Sequence, residues 1–363
     1  MKYIVFNYVL LIVSLSPVLH AQNTISTSDQ IHHTLSSYHD KNEFNGVVLV
    51  SKKGRIIFHE GFGYASVEHN VLNDKQTKFL IGSATKSFTA IAVMQCVEKG
   101  WLELHTPISN YIPELTGDVG QLTLHVLMKN TSGLPVHLNR ITNLEYRDIS
   151  SPELIQLYKG IELSFHPGSK YEYSNLNYQL CALIVERVSG LDYHIYIKEN
   201  ILEAAGMLDS GVQNTHDFVS LRATGYNLEN EEYVQSPRNY LAYAMGGGNM
   251  YATAYDLYNW DIELYGEALV SQESKERLFD GHPDIFDGYG YGFKIRNYQR
   301  NNLSTNTGKL VRHGGSMYGF ICNIHRYLND QVLIVVLGNM RPYPTMEITL
   351  EIENILRENS WFE

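Results

Sequence analysis

The feature that most constrains the fold of this chain is that strand-like segments lie near both ends, whereas the middle is helical in pattern. Residues 46–51 and 55–63 are β-type runs around Lys52-Lys53-Gly54, which indicates a hairpin. Residues 291–295, 319–326 and 331–337 alternate or run apolar, like adjacent strands. The sequence therefore predicts an α/β fold in which both ends of the chain build one sheet, with helices on its faces and a helical insertion between.

Helical periodicity and helix-stop residues predict the main helices. The predicted helical segments are residues 23–41, 85–99, 122–128, 175–189, 252–265 and 345–357. Ser174 is placed to cap the helix at 175–189, and Gly190 to end it. The glycine-rich segment at 244–250 lacks the Lys-Ser/Thr of a phosphate loop, so it predicts a close approach of backbones instead.

The composition excludes some classes of protein. The chain has 363 residues, of which 44% are hydrophobic, so it can bury a core and is not mostly disordered. Acidic residues exceed basic ones by 11, which disfavours a surface that follows nucleic-acid phosphates. Cys96, Cys181 and Cys322 are the only cysteines, and we expect small buried side chains rather than a disulfide framework.

The N-terminal segment resembles a secretory signal peptide. It has an early lysine, an apolar run from about Val9 to Leu19, and Ala21 at the expected cleavage position. An uncleaved anchor is the alternative. No later segment approaches 18 consecutive apolar residues, so no stable membrane span is expected after cleavage. The mature protein is therefore predicted to be periplasmic or secreted.

The same patterns give predicted boundaries. Residues 1–21 are the signal peptide, 22–82 and about 240–363 form the sheet domain, and about 83–239 form a mainly helical inserted region. Residue 83 then lies where the two meet, and ligand sites form preferentially at such junctions.

Ser83 and Lys86 are the first candidate catalytic residues. They stand three apart at a predicted helix start and so share one helix face. A serine hydroxyl attacks an acyl carbon only when a base or a positive field activates it, and Lys86 and the helix N-terminus offer both. The same tetrad also fits a serine near a helix start followed by a solvent-facing lysine, so its significance depends on the rest of the chain.

Two further segments supply the groups that such a serine needs. Tyr173 and Asn175 offer a phenol and an amide at a helix entrance, and the tyrosine acts as a base only where a cation lowers its pKa. The segment Arg312-His313-Gly314-Gly315-Ser316, placed just before an apolar strand, offers a glycine-lined strand edge for substrate. His313 is suited to donating to a substrate carboxylate or to positioning the tyrosine. An ordinary surface tyrosine and a loop histidine are the alternatives.

Competing types of site are not indicated. Gly-x-Ser-x-Gly and His-Glu-x-x-His do not occur, the His32-His33 pair lacks metal-ligand spacing, and no dinucleotide fingerprint follows a strand. We therefore expect no cofactor and no metal.

The order of these motifs resembles the serine β-lactamase and penicillin-binding-protein superfamily, specifically its class C-like branch. That branch includes class C β-lactamases, D-alanyl-D-alanine carboxypeptidases, D-aminopeptidases and esterases. The matching segments are Ser83-Ala84-Thr85-Lys86, Tyr173-Ser174-Asn175, His313-Gly314-Gly315, Thr131-Ser132-Gly133-Leu134-Pro135, His166-Pro167-Gly168, Glu186-Arg187-Val188-Ser189-Gly190, Gly206-Met207 and the glycines before Thr253. The likeness runs from about residue 44 to about residue 339.

The resemblance implies a β-lactamase/transpeptidase-like α/β (α+β) fold, with an antiparallel sheet flanked by helices and a mainly helical inserted domain. Ser83 would be the acylated nucleophile, with Lys86 and Tyr173 as the proton-handling pair, and the lysine acting mainly by its charge on the tyrosine. Asn175 would bind the substrate amide or steady Lys86.

The resemblance also implies how the substrate is held. The backbone N–H groups of Ser83 and Ser316 would form the oxyanion hole, while His313 and Gly314, followed by Gly315, would line the substrate edge. The substrate would be a small-molecule or peptide acyl donor, with cell-wall fragments among the candidates.

Two positions depart from the family pattern. His313 stands where β-lactamases usually have lysine, which weakens a β-lactamase assignment and keeps carboxypeptidase and esterase activities open. Asn130 stands where histidine is common, and we interpret it as structural. The leading hypothesis is an exported serine hydrolase acting on an ester or a D-amino-acid amide or peptide. The alternatives are a protein that is acylated without efficient turnover and a true β-lactamase.

Overall fold

The fold is described from a computed structural model, which covers residues 25–137, 147–214, 217–230, 232–237, 240–282, 284–300 and 306–363. The predicted signal peptide, residues 1–21, lies outside the described residues. Within the described part of the chain, no helix combines the length and apolar character needed to cross a membrane.

Each of the six predicted helical segments contains a helix, and further short helices lie outside these segments. In chain order, α1 to α10 are Thr27–Asp40, Thr85–Glu98, Gly117–Gly120, Leu124–Met128, Ser151–Tyr158, Asn175–Ser189, Tyr193–Ile197, Ala254–Glu263, Gln272–Leu278 and Thr345–Glu358. Helix α6 has the predicted bounds because the Ser174 hydroxyl accepts from the N–H of Leu176 at its start. At its end Gly190 adopts a left-handed conformation, with φ of 72°.

In the described part of the chain, the strands lie before residue 81 and after residue 210. In chain order, β1 to β14 are Gly46–Lys52, Arg55–Phe62, Tyr64–Ser66, Val71–Leu72, Phe79–Leu80, Gly211–Val212, Tyr226–Glu229, Glu232–Gln235, Met250–Ala252, Lys294–Gln299, Thr307–Met317, Phe320–Tyr327, Val332–Gly338 and Met340–Arg341. The hairpin β1–β2 and the strands β12 and β13 confirm the sequence prediction. The strand expected at 291–295 begins later than expected, at Lys294.

One antiparallel sheet joins both ends of the chain. Its six strands run in the order β10-β11-β12-β13-β1-β2, so β1 lies between its hairpin partner and a strand near the C-terminus. One face of β1 and β13 packs with α1 and α10 through side chains such as Val48 and Ile334. The other face, with Leu49 and Val335, packs against the helical body that contains α2 and α6. The predicted antiparallel sheet with helices on its faces is therefore confirmed, whereas the domain boundaries stay a prediction.

Strand β11 adds to the sequence prediction for the segment at 312–316. These residues precede the apolar strand β12, as predicted, but they also form part of a strand themselves, and β11 pairs with β12 along Leu310–Met317. On its other side β11 pairs with β10 only as far as Arg312. The pattern was missed because consecutive residues Arg312, His313, Gly314 and Gly315 show no apolar alternation, which is the signal on which strand prediction depends.

Helix α2 lies in the centre of the molecule. Twelve consecutive residues, from Thr85 to Cys96, are buried, and a helix that is buried all round belongs to a core. Cys96, Cys181 and Cys322 are all buried and unbridged, as expected for small core side chains. Lys86, the active-site candidate on α2, is therefore fixed by packing on every side.

A buried histidine on β12 makes the fold sensitive to acid. His325 is 2% exposed, and burial, with the charge of Arg312 as a smaller cause, lowers its pKa to about 3. Below pH 6.5 the histidine is protonated in the unfolded chain, whereas His325 in the folded protein stays unprotonated until the pH nears 3. The free energy of unfolding then falls by about 1.4 kcal/mol per pH unit for this group, until the pH nears 3.

We predict that His325→Phe removes this contribution, so that the loss of stability between pH 6.5 and pH 4 becomes shallower. Urea unfolding at a series of pH values measures the slope. His33→Phe, at an exposed position on α1, is the control and should leave the slope as in the unmodified protein. Equal slopes for His325→Phe and the unmodified protein would contradict the assignment.

Candidate active site

Ser83 lies in a single 3-10 turn, Gly82–Ala84, immediately before α2. The start of the turn is held by β9, because the N–H of Ile81 donates to the carbonyl of Met250 at 3.0 Å. Gly82 has φ of 49°, a conformation that other residues rarely adopt. Ser83 is half-buried, so its hydroxyl is fixed by the turn and still faces a cavity. The N-terminus of α2 adds partial positive charge at this point.

Lys86 is fully buried, with 0% of its surface exposed. Its Nζ lies 2.6 Å from Asn175 Oδ1, 2.6 Å from the carbonyl of Gly247 and 3.3 Å from Ser83 Oγ. Burial holds the pKa of Lys86 well below its usual range. A neutral amine has two N–H groups and one lone pair. The two carbonyl oxygens can only accept, so they take the two N–H groups, and the lone pair is left for the hydroxyl of Ser83.

Asn175 links Lys86 to the helical side of the site. As the first residue of α6 it places its Oδ1 on Lys86, while its Nδ2 lies 3.0 Å from Nδ1 of His137. This amide orientation follows from the hydrogen bonds, since only oxygen can accept from the lysine. Of its two predicted roles, the contact with Lys86 is the one that the geometry provides.

Asn130 holds the start of α6 through hydrogen bonds, as expected for a residue with a structural role. Its Oδ1 accepts from the N–H of Ser174 at 3.1 Å and from Nδ2 of Asn177 at 2.9 Å. Both bonds hold the N-terminal end of α6, where Asn175 faces Lys86. Asn130 therefore positions Asn175 without lining the cavity itself.

Tyr173 has its ring against Lys86, with Nζ 4.9 Å from the ring centroid. Its hydroxyl is buried and makes no hydrogen bond of ordinary geometry with the described residues. Burial raises the pKa of Tyr173, and the nearby Ser83 hydroxyl only partly offsets this. Burial also lowers the pKa of Lys86, which reduces the positive charge that it can place beside the tyrosine. The expectation that Lys86 acts mainly by its charge on Tyr173 stays a prediction, and the raised pKa of Tyr173 suits its hydroxyl to donating a proton.

His313 lies on β11 with both ring nitrogens engaged. Nδ1 lies 2.6 Å from the carbonyl of Gly314 and so carries the proton, while Nε2 accepts from the hydroxyl of Tyr289 at 3.0 Å. Burial, and then the proximity of Lys86, lowers the pKa of His313 to about 3. The ring is neutral, and it has no free donor for a substrate carboxylate in this conformation. Its contact with Tyr289, whose ring packs edge-on against Tyr173, matches the predicted positioning role more closely.

The glycines of β11 bring its backbone onto the Ser83 turn. A Cβ at Gly315 would lie 1.9 Å from the carbonyl oxygen of Ile81 and 2.7 Å from the backbone nitrogen of Ser83. A Cβ at Gly82 would lie 2.7 Å from the backbone nitrogen of Ser316. Only glycine allows this approach. The contact between the Ser83 turn and β11 brings the backbone nitrogens of Ser83 and Ser316 close to each other. The prediction that these two N–H groups form the oxyanion hole stays a prediction.

A cavity of about 260 Å³ opens above Ser83. Of the predicted site residues, Ser83, Asn175 and Ser316 line it. The other predicted site residues are not among the lining residues, namely Lys86, Tyr173, His313, Gly314 and Gly315. The lining residues that sequence reasoning missed include Tyr243, Tyr318 and Arg341. A larger cavity of about 340 Å³ shares Tyr318 with this one but contains none of the predicted site residues. The chemistry therefore belongs to the smaller cavity.

The glycine-rich segment predicted to allow a close approach does so behind this cavity. A Cβ at Gly246 would lie 2.5 Å from the carbonyl oxygen of Tyr178 on α6. The close packing places the next carbonyl, that of Gly247, on Lys86. Among the described residues, no cluster of three or more His, Cys, Asp or Glu side chains is arranged to hold a metal ion. The expectation of no cofactor stays a prediction.

The fold and the position of the serine define the class of protein. The chain has the β-lactamase/transpeptidase fold. This fold combines an antiparallel sheet that has helices on both faces with a buried helix that starts next to the sheet, near Ser83 and Lys86. The chain belongs to the beta-lactamase family, whose sequence model, Beta-lactamase, matches residues 31–353. This membership supports serine-dependent acylating chemistry.

Individual relatives agree with this assignment. The chain is 33% identical over 325 residues to PbpX of Bacillus subtilis (strain 168), a protein named as a penicillin-binding protein, covering 88% of this chain and 77% of the relative. It is 28% identical over 320 residues to penicillin-binding protein 4* of the same strain, covering 83% and 69%. Among solved structures, the octameric penicillin-binding protein homologue from Pyrococcus abyssi matches with a TM-score of 0.77 and 29% identity, covering 90% of this chain and 76% of that one.

Proposed function

We propose that this protein is an exported serine hydrolase that forms an acyl-enzyme on Ser83 from an ester or a D-amino-acid amide or peptide. The observation that carries the proposal is the buried Lys86 Nζ, which lies 3.3 Å from Ser83 Oγ while two carbonyl oxygens occupy its other directions. A general base must lie within reach of the proton that it removes, and it must be unprotonated at the working pH.

In the acylation step, Lys86 takes the proton of Ser83 Oγ while that oxygen forms a bond to the substrate carbonyl carbon. The carbonyl electron pair moves to its oxygen, and the backbone N–H groups of Ser83 and Ser316 stabilise the resulting oxyanion. Collapse of this intermediate breaks the bond to the leaving group. Tyr173, whose raised pKa keeps its hydroxyl protonated, gives a proton to the departing atom and recovers one from Lys86.

In the deacylation step, water replaces the leaving group. Lys86, acting directly or through Tyr173, removes a proton from that water as it attacks the ester carbon of the acylated Ser83. The bond to Oγ then breaks, and the proton returns to the serine. The products are the free acid and the original enzyme, so the cycle consumes one water per acyl group.

Export is part of the proposal because the N-terminal sequence has the pattern of a signal peptide. The relatives named as penicillin-binding proteins support a place outside the cytoplasm, where cell-wall peptides with D-amino acids are available as substrates. The replacement of the expected lysine by neutral His313 favours an esterase or peptidase over a β-lactamase.

We predict that Ser83→Ala abolishes both the acyl adduct and hydrolysis, because no other group occupies the position of Oγ. The protein is incubated with a p-nitrophenyl ester or benzylpenicillin, and mass spectrometry locates the adduct on the peptide that contains Ser83. Ser37→Ala, at an exposed position on α1, is the matched control and retains the adduct. Unchanged hydrolysis in Ser83→Ala would overturn the proposed function.

A second candidate function is a penicillin-binding or sensing protein that is acylated but turns over slowly. The observation that favours it is the Tyr173 hydroxyl, which is protonated and without a hydrogen-bond partner among the described residues, so it offers no ready base for attacking water. A burst of one equivalent of p-nitrophenol without a steady state indicates this function. A continuous steady state indicates the hydrolase.

A further inference from the structure

The larger cavity, of about 340 Å³, has a mainly apolar wall and no catalytic candidate in it. Eight of the sixteen residues that line it in the described part of the chain are apolar, and only Asp217 and Arg222 are charged. The guanidinium of Arg222 donates to Oε1 of Gln213, another lining residue, at 2.5 Å. A pocket of this composition suits an apolar group rather than a strongly charged one.

Three segments of chain pass from the larger cavity to the one above Ser83. Each segment has one residue in the wall of the larger cavity and another, three positions away, in the wall of the smaller; the pairs are Leu80 and Ser83, Leu241 and Ala244, and Phe320 and Met317. Three residues of chain span at most about 11 Å, so the two cavities are neighbours. Tyr318 lines both, and its hydroxyl forms a hydrogen bond with that of Tyr243, which lines the smaller cavity. A long ligand bound at Ser83 can therefore extend past Tyr318 into the larger cavity.

The direction of β11 indicates which part of a substrate points to the larger cavity. At one end of the site His313 contacts Tyr289, whose ring packs against Tyr173, the proposed proton donor to the leaving group. At the other end Tyr318 directly follows β11 and lines the larger cavity. Ser316, whose N–H is predicted to hold the oxyanion, lies between these ends. A leaving group on the side of Tyr173 places the acyl part of the substrate on the side of Tyr318.

Two large apolar side chains are exposed at the larger cavity. The side chains of Phe218 and Leu221 are 93% and 59% exposed, and both line it. Leu221 has φ of 59°, a conformation that a leucine rarely adopts. The backbone imposes it, because the carbonyl of Leu221 accepts from the N–H of Lys78 and the N–H of Ala223 donates to the carbonyl of Lys78, both at 2.9 Å. Strain of this kind clusters at ligand sites, and a ligand that covers these side chains removes apolar surface from water.

We infer that the larger cavity binds an apolar chain of the acyl group that is transferred to Ser83, so that the enzyme prefers esters and amides of long acyl chains to those of short ones. This inference rests on the proposed function and names its substrate class. The cavity contacts the chain beyond the reacting carbon and takes no part in proton transfer. The preference should therefore increase with chain length, because each further methylene group that enters the cavity is buried.

The test compares p-nitrophenyl butyrate, octanoate and dodecanoate, each below the concentration at which it forms micelles. We expect kcat/KM for the octanoate or the dodecanoate ester to exceed that for the butyrate ester by about tenfold or more. In Leu221→Asn this ratio should fall by about fivefold or more, because asparagine tolerates the left-handed conformation but does not supply the apolar surface. Leu208→Asn, at an exposed leucine that lines neither cavity, is the matched control and should keep the ratio.

A second variant and a second set of esters sharpen this experiment. Phe218→Ser removes a side chain that is almost fully exposed, so its lower ratio cannot be attributed to loss of the fold. Dodecyl acetate against butyl acetate places the long chain on the leaving group instead. A preference for dodecyl acetate that Leu221→Asn removes, without a preference among the p-nitrophenyl esters, assigns the cavity to the leaving group and overturns the inference.

The remaining outcomes separate this inference from the proposed function. If the three p-nitrophenyl esters react equally, or if the preference for long chains survives in both Leu221→Asn and Phe218→Ser, the inference is overturned while acylation of Ser83 stands. If mass spectrometry shows that none of these esters acylates Ser83, the proposed function fails and this inference fails with it. A preference that is lost in both variants and kept in Leu208→Asn supports both.

Discussion

Replacing Lys86 with alanine lowers the rate of Ser83 acylation by roughly a thousandfold, within the range that loss of a general base produces. The physical reason is that no other described group combines a lowered pKa with a position 3.3 Å from Ser83 Oγ. Stopped-flow release of p-nitrophenol from an activated ester measures the acylation rate. Lys99→Ala, which removes an exposed lysine at the far end of α2, is the control and should leave the rate unchanged.

Added methylamine distinguishes a base from a fixed charge in Lys86→Ala. A neutral lysine that acts as base predicts partial rescue that increases with pH, because the unprotonated amine is the active form. A lysine that acts by its charge on Tyr173 predicts rescue by methylammonium, which decreases as the pH rises. Rescue of the second kind, or an unchanged acylation rate in Lys86→Ala, would contradict the role assigned to the lysine here.

Removing the amine of Lys86 is expected to raise stability although it lowers the acylation rate. Folded Lys86 has a pKa well below the 10.5 of an unfolded lysine, so between these two values the unfolded chain holds a proton that the folded protein has released. That difference destabilises the folded state, and the destabilisation disappears as the pH rises to 10.5. Lys86→Met, which fills the space of the lysine, is therefore expected to unfold at higher urea concentration than the unmodified protein at pH 7.

Gly315→Ala is expected to damage both stability and activity. Its Cβ would lie 1.9 Å from the Ile81 carbonyl oxygen, and neither neighbour is a side chain that can rotate away. Strand β11 must then move from the Ser83 turn, at a cost of about 3 kcal/mol in the free energy of unfolding, the upper part of the range for overpacking. A displacement of this size also separates the two amide donors, and the acylation rate should fall by about a hundredfold.

Gly308→Ala, in the same strand, separates the two effects. There the new Cβ would meet the ring of Tyr298 at 2.5 Å, at the opposite end of β11 from the active site. We expect Gly308→Ala to lower the free energy of unfolding while the folded protein keeps its acylation rate. Urea unfolding and the p-nitrophenol burst measure the two quantities. A Gly315→Ala protein with normal stability and normal acylation would contradict the backbone contact described here.

Local sequence was sufficient where a local interaction decides the structure. Helix α6 could be predicted to the residue because its start is a side-chain cap at Ser174 and its end is a left-handed Gly190. The hairpin β1–β2 was equally accessible, since turn residues lie between two apolar runs. The pairing of Ser83 with Lys86 followed from helix geometry alone, since residues three apart share a face.

Local sequence was insufficient where contacts between segments distant in the chain determine the structure. Strand β11 is held by β12, by β10 and by the Ser83 turn, and its own residues carry no strand pattern at His313-Gly314-Gly315. The protonation of Lys86 depends on complete burial, which no spacing of residues reveals. Tyr243, Tyr318 and Arg341 come from separate segments that only the tertiary fold brings to the cavity, and nothing distinguishes these tyrosines among the 26 in the chain.

The position of β1 in the sheet has a consequence for when the protein can act. Gly46 of β1 pairs with Gly338 of β13, so the centre of the sheet is complete only after about 290 further residues have left the ribosome. At 5 to 20 residues per second, that delay is roughly 15 to 60 s. Strand β11, which supports the Ser83 turn, is also made late in synthesis. The site around Ser83 is therefore not assembled until β11 and β13 have been synthesised.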